Sequence, residues 1–164
     1  NTRGGIYGTQ TMLYQRILFL NHSEFTKMLD TGNTKKQSRR SHLCVMIAQS
    51  GNNFYIPPRN NLGADMRKFG RIGHAIPSQK RKSAGLDYRY ALIVNDESDK
   101  NYPLNKKFQI HNIKKSKKDY DIIKTEFTVY LNGFIKAAKK RRIEKEPLYK
   151  ESSLVNFLSI LKIK

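Results

Sequence analysis

Between residues 31 and 86 the chain carries a single acid, Asp65, against Lys35, Lys36, Arg39, Arg40, Arg59, Arg67, Lys68, Arg71, Lys80, Arg81 and Lys82. Cations without carboxylate partners must keep their heads in water, so most of this stretch belongs on a surface. The whole chain has 32 Lys and Arg against 13 Asp and Glu, a formal net charge of +19. Such an excess repels itself in a compact state, and a polyanionic partner relieves it. Counterion release makes nucleic acid the natural partner, ahead of a membrane surface or an acidic protein. A surface tuned only for solubility would mix its signs.

The length of 164 residues suits one domain with a sizeable core. A hydrophobic fraction of 38% separates the chain from a disordered basic tail. No run of about eighteen apolar residues predicts a membrane span. Ile17-Leu18-Phe19-Leu20 is too short for the apolar centre of a signal peptide, which suggests a cytoplasmic protein. The one cysteine, Cys44, lies in Leu43-Cys44-Val45-Met46-Ile47 and reads as a small buried hydrophobe with no intrachain disulfide partner. Residues 1–12, with Gly4, Gly5 and Gly8, lack periodicity and read as an irregular N-terminal extension or an expression remnant. Residues 13–164 read as a single domain.

Periodicity organises that domain. Gln15–Leu20 reads as a strand and His22–Leu29 as a short helix, capped by Asn21 or Ser23, with Phe25, Met28 and Leu29 on one face. Strands at His42–Gln49 and Asn53–Ile56 flank the hairpin signal Ser50-Gly51-Asn52. Pro57-Pro58 ends the second, because proline cannot donate to a ladder. Residues 59–86 read as a long basic loop. Tyr90–Val94 reads as a further strand, and Phe108–Ile110 as another in a lysine-rich stretch. Ile123, Phe127, Tyr130, Leu131, Phe134 and Ala138 recur at helical spacing from Asp119 to Arg142. Acids at the start and Lys139-Lys140-Arg141-Arg142 at the end suit the helix dipole. A last helix is expected at Ser152–Leu161. Strands followed by two helices predict an α+β domain with a curved antiparallel sheet.

The chemistry narrows by elimination. His22, His42, His74 and His111 are scattered and form no metal-ligand spacing, and no cofactor motif is present. Asp96, Glu97 and Asp99 follow a strand and could gather divalent ions, but Asn95-Asp96 is turn chemistry, and a solvated turn is the better reading. Metal-free cleavage of RNA remains. RNA brings its own nucleophile, the 2′-hydroxyl, and the protein needs only cations around phosphorus and groups that move protons. Arg59, Asn60 and Asn61 stand at a strand end, at the head of the basic loop. Arginine can grip two phosphate oxygens, and asparagine can donate to an oxyanion. His74 is a candidate acid or base, since imidazole titrates near neutrality. A surface cation, a turn and a structural histidine are the plainer readings of the same residues.

Four segments taken in order carry a resemblance. They are Phe25-Thr26-Lys27, then Arg40-Ser41-His42-Leu43-Cys44-Val45-Met46-Ile47, then Asn53-Phe54-Tyr55-Ile56-Pro57-Pro58-Arg59-Asn60-Asn61, and finally Gly85-Leu86-Asp87-Tyr88-Arg89-Tyr90-Ala91-Leu92-Ile93-Val94. Together they resemble the endoribonuclease toxins of type III toxin–antitoxin systems, the ToxN/AbiQ/TenpN class, with the TenpN branch most similar. The resemblance covers roughly residues 17–95. It implies a strongly twisted antiparallel sheet of the MazF/Kid kind, a partly open barrel, with flanking helices and a C-terminal helical pair. It also implies metal-independent RNA cleavage to a 2′,3′-cyclic phosphate and a 5′-hydroxyl. The expected partners are a small repeat RNA antitoxin with pseudoknot structure and the RNA substrate, in a toxin–RNA hetero-oligomer acting in phage defence. The family's active centre falls on Pro57-Pro58-Arg59-Asn60, where Asn60 replaces an expected Ser or Thr. Either its amide holds phosphate or the chain is an attenuated form. Leu62 also replaces a Lys or His, so that role passes to Arg67, Lys68, His74 or Lys80.

The expected catalytic residues are therefore Arg59, Asn60, Asn61 and His74. The eleven cations named above other than Arg59, with Lys139, Lys140, Arg141 and Arg142, are the expected RNA contacts. A non-catalytic basic RNA-binding protein explains the charge equally well but not the strand-Pro-Pro-Arg-Asn-Asn junction. A DNA-binding module is a weaker rival, since nothing reads as a helix-turn-helix or zinc finger. If about six to ten phosphates are neutralised, affinity for structured RNA should drop by roughly 10³–10⁵ between about 50 and 200 mM salt. Filter binding across that range measures it, and a flat response would point to a protein partner instead.

Overall fold

A computed structural model describes residues 10–12, 23–29, 43–95 and 117–164. The strands are β1 (Gln10–Met12), β2 (Leu43–Gln49), β3 (Asn52–Ile56), β4 (Pro58–Arg59), β5 (Gly73–Ala75), β6 (Gly85–Asp87) and β7 (Leu92–Ile93). The helices are α1 (Gly63–Phe69) and α2 (Lys117–Lys139), and single 3₁₀ turns occupy Tyr88–Tyr90, Ile143–Lys145 and Ser153–Phe157. Two antiparallel sheets result, one in the order β1-β2-β3-β7 and a smaller one in the order β4-β6-β5. The fold is mixed α+β, and the described strands do not close into a barrel.

The β2–β3 hairpin follows from its turn. Ser50 and Gly51 both have positive φ, 51° and 77°, and Gln49 pairs with Asn52 across them. Two consecutive positive-φ residues make the turn whose twist matches the flanking strands. Pro57 then stops β3 as expected and hands the chain to the second sheet, where its carbonyl accepts from the Asp87 amide at 3.0 Å. Every apolar position read from the helical spacing is buried: Ile123, Phe127, Tyr130, Leu131, Phe134 and Ala138 line the inner face of α2. Phe127 packs against Phe54 of the large sheet at 5.1 Å between centroids and against Tyr88 at 5.6 Å. One helix thus covers both sheets. Each such ring, fully removed from water, contributes about 1.5–3 kcal/mol. Arg141, with φ 55°, ends the helix: the Arg142 amide reaches the Ala137 carbonyl and the Arg141 amide that of Ala138, both at 2.9 Å. That is a Schellman cap with arginine in the left-handed position that glycine usually takes.

Several expectations are corrected. Residues 59–86 are not a loop. They form β4, α1, β5 and β6 around the buried side chains of Leu62, Ile72 and Leu86, elements too short for periodicity to reveal. The strand expected at Tyr90–Val94 shortens to β7, because Asp87 accepts from the Arg89 amide and caps a 3₁₀ turn. No helix occupies 23–29. Lys27 has φ 53°, and the Thr26 backbone is bonded on both sides to the Asn156 amide. The apolar face survives without the helix: Met28 and Leu29 are buried, and Phe25 packs on Phe157 at 5.1 Å. In place of a helix at Ser152–Leu161 there is a 3₁₀ turn followed by turns. Ser153 is buried with its hydroxyl on the Arg89 and Ala91 carbonyls at 3.1 and 2.6 Å, and tertiary bonds of this kind outweigh helix propensity. The C-terminal helical pair is therefore one helix and a series of turns. The strands expected at Gln15–Leu20 and Phe108–Ile110, and the carboxylates of Asp96, Glu97 and Asp99, lie outside the described residues. No helix among the described residues is long and apolar enough to cross a membrane.

Cys44 is buried on β2, and burial pushes its thiol up to about 12. The native thiol should therefore resist a thiol-specific chromophoric reagent at pH 8 and react at once in denaturant. Rapid reaction of the native protein would show that β2 opens to solvent.

Candidate functional site

The smaller sheet has two faces, and each carries a polar cluster. Arg59 pairs with Gly85, and Gly73 with Asp87, so these four residues share one face. Pro58 and His74 both pair with Leu86 and point to the other.

On the first face the Asp87 carboxylate is wholly buried. Its Oδ2 accepts from Arg59 Nη1 at 3.0 Å and from Arg89 Nη2 at 2.8 Å, while Oδ1 accepts from Arg89 Nε at 3.0 Å. Asp65, from α1, closes the cluster by accepting from Arg59 at 2.9 Å and Arg89 at 2.7 Å. Both guanidiniums lie by the Tyr90 ring, and Arg89 also lies by Phe69. Burial works to lower the Arg89 value, but Asp87 outweighs it and holds the guanidinium more firmly charged than usual. The hydrogen bond from Arg89 depresses Asp65, and that from Arg59 adds to it. The only acid of the basic stretch thus serves two arginines. Leu62 lies beneath: a Cβ at Gly73 would sit 2.8 Å from its Cδ2, one at Gly85 2.7 Å, and each would collide with a carbonyl of the paired strand. Glycine is required at both positions for the strands to approach.

On the second face His74 meets α2. Its Nδ1 lies 2.9 Å from Glu126 Oε2, and the Tyr88 hydroxyl donates to the same oxygen at 2.8 Å. Burial, reinforced by Glu126, raises Tyr88 well above the usual phenol range, so it remains a donor. A carboxylate only accepts, so the proton between the pair belongs to Nδ1. Nε2 is then the basic nitrogen of the neutral ring. His74 is 20% exposed and Glu126 40%, so both are open to solvent. Both line a cleft of about 790 Å³, together with Arg71, Tyr88, Thr125, Val129, Leu148 and Tyr149.

The expected catalytic residues therefore separate. Arg59 belongs to the ion cluster on the first face, Asn60 and Asn61 are exposed in the turn after β4, and His74 stands on the second face. Among the expected RNA contacts, Arg67, Lys68 and Arg71 are exposed on or just past α1. Lys80, Arg81 and Lys82 occupy an exposed loop. The Ser83 carbonyl that follows accepts from the Leu62 and Gly63 amides at 2.7 and 3.2 Å, docking that loop against the start of α1. Lys139, Lys140, Arg141 and Arg142 are exposed where α2 ends, Arg142 pairing with Glu146 at 3.1 Å. Lys35, Lys36, Arg39 and Arg40 lie outside the described residues. Sequence reading missed Glu126, Tyr88 and Tyr149. Glu126 had a signal: three residues from Ile123 and four from Tyr130, it borders the buried stripe of α2. Its pairing with His74, across 52 positions, had none. Among the described residues no group of three or more His, Cys, Asp or Glu could hold a metal ion.

The Asp87 cluster predicts a stability effect. Asp87→Ala leaves two largely buried guanidiniums with one partly exposed carboxylate and should cost about 3–5 kcal/mol, measured by urea denaturation. A loss below about 1 kcal/mol would mean that water replaces the carboxylate. Asp65 adds a pH dependence of definite sign. With its value depressed in the fold, its contribution is complete above the ordinary carboxylate range and lost as acid carries the pH down through the depressed value.

Comparison with protein-family models, curated proteins and solved structures returned no match.

Proposed function

We propose that this protein is a metal-independent endoribonuclease in which His74, oriented by Glu126, acts as general base on the RNA 2′-hydroxyl. The observation that carries this reading is the His74–Glu126–Tyr88 cluster in an accessible cleft of a strongly basic chain. A carboxylate that fixes one imidazole nitrogen presents the other for proton transfer, the arrangement that hydrolytic triads use. Nε2 takes the proton from O2′, the O2′–P bond forms and the P–O5′ bond breaks. The proton then goes to the departing 5′-oxygen, directly or through water, and imidazole is regenerated. The products are a 2′,3′-cyclic phosphate and a 5′-hydroxyl. Arg71, at the cleft edge, supplies positive charge for the phosphorane oxygens.

In this reading Arg59 sets the position of β4 rather than gripping phosphate, since Asp65 and Asp87 already engage its guanidinium. Asn60 and Asn61 offer exposed amides to the RNA backbone. The fold assignment that goes with this reading is a twisted, partly open arrangement of the MazF/Kid kind, supported by two antiparallel sheets under one long helix. The biological role we assign is that of a type III toxin in the cytoplasm, restrained by a pseudoknot RNA antitoxin bound along the exposed cations. The charge of the chain and the resemblance of residues 17–95 support that role.

The test is cleavage of labelled RNA by the purified chain in EDTA, with analysis of the product ends. Cleavage should persist, leave cyclic phosphate, and stop when the cut site is 2′-deoxy. His74→Ala should slow it by about 10²–10⁴, the usual contribution of a general base. Unchanged cleavage by that variant, or activity lost in EDTA and restored by magnesium, would overturn the mechanism. Tight binding with no cleavage would leave a non-catalytic RNA-binding protein. Expression in bacteria, with and without a repeat RNA, tests the toxin role through growth arrest and its relief.

A further inference from the structure

Besides the His74–Glu126 pair, the cleft has an apolar part to its lining. Along α2, Glu126 is followed one turn later by Val129 and Tyr130, and after a second turn by Gly133. The seven steps from Glu126 to Gly133 rise roughly 10 Å along the helix. At Gly133 the absence of a Cβ lets the Tyr149 hydroxyl seat directly against the helix, where a methyl group would overlap it. The Tyr149 ring is braced there by Tyr130 at 5.2 Å and Phe134 at 6.1 Å. Burial raises its hydroxyl above the usual phenol range, so the wall stays uncharged. Leu148 and Tyr149 both line the cleft, and so does Val129, which at 67% is the most exposed large aliphatic residue among the described ones. The cleft lining thus joins an aromatic and aliphatic group, Val129, Leu148 and Tyr149, to the polar His74, Glu126 and Arg71.

We infer that the Val129–Leu148–Tyr149 wall of this cleft is a subsite for one unpaired nucleobase of a bound RNA strand, its phosphate directed toward His74 and Arg71. The inference rests on the ribonuclease reading and adds where the base goes and in which state. Three observations select this occupant. The cleft volume of about 790 Å³ is in the range of sites that enclose a small planar molecule. An aromatic and aliphatic wall in the same cleft as Arg71 and His74 matches the base and the phosphate of a nucleotide. The net charge of +19 favours a polyanion over a neutral ligand. A stacked base pair would present no free face to the wall, so the base must be unpaired.

The test separates this subsite from catalysis. The probe is a fluorescein-labelled single-stranded 2′-deoxy oligonucleotide, which carries bases and phosphates but cannot be cleaved, read by anisotropy. Val129→Asp, on an exposed position, places a carboxylate in the wall and should weaken binding at least tenfold. Tyr149→Ala should weaken it between about fivefold and a hundredfold, the range of base–aromatic stacking. Unlabelled single strand should compete for the labelled probe, and duplex of equal length should compete at least tenfold less well. A mononucleotide that competes at comparable concentration would make the occupant a free nucleotide and overturn the assignment to a strand. Unchanged affinity in Val129→Asp would overturn the subsite even if Tyr149→Ala fails to fold. Cleavage lost in His74→Ala with probe binding unaffected by Val129→Asp would retain the ribonuclease and discard the subsite. Probe binding that depends on Val129 in a chain that cleaves nothing would retain the subsite and discard the ribonuclease.

Discussion

The fold depends on how a wholly buried carboxylate is paired. Asp87 sits at the end of β6 beneath solvent, and an isolated anion there would be untenable. Two guanidiniums make it tenable, one from β4 and one from the turn that β6 itself leads into. Asp65 then balances the second positive charge and draws α1 onto the sheet. Four charges of alternating sign thus specify how three strands and a helix assemble. Apolar contacts alone would leave that assembly loose, because β4 has two residues and β5 and β6 three each. Leu62 supplies the apolar part, filling the space left by Gly73 and Gly85.

The same sheet transmits this order to its other face. His74 is one residue from Gly73, whose partner is Asp87, and its own partner is Leu86. The imidazole is therefore placed by backbone that the ion cluster holds from behind. Glu126 comes from α2, which is fixed independently by Phe127 against Phe54 and Tyr88. A rigid helix and a rigid strand meet with their polar groups in hydrogen-bond range, and precision of that kind is easier to build on regular elements than on loops.

Much of the large-scale order was legible in the sequence. The β2–β3 hairpin, the proline stop and the buried stripe of α2 follow from alternation, turn chemistry and helical spacing. The basic segment was misread because its structure rests on singular residues. Leu62, Ile72 and Leu86 lie far apart in sequence, and the glycines read as loop markers where they permit close strand packing. Arg59 was rightly singled out at a strand end, yet its partners Asp65 and Asp87 turn it inward. His74 was legible only as a titratable group. What defines its setting, Glu126 and Tyr88, comes from a helix and a turn that only the tertiary fold brings to it.

The bonds of the 153–157 turn have a consequence for biosynthesis. Ser153 ties the carbonyls of Arg89 and Ala91, Leu154 and Phe157 complete the core, and Asn156 anchors the Thr26 backbone. All of these partners are translated earlier. The ribosome must release this segment before the turn between β6 and β7 acquires its last hydrogen bonds. Until then Tyr88, at the head of that same turn, has an incompletely supported backbone, and with it the hydroxyl that helps hold Glu126. A nascent chain consequently keeps an unfinished cleft until residues 153–157 have left the ribosome and docked on the turn translated before them.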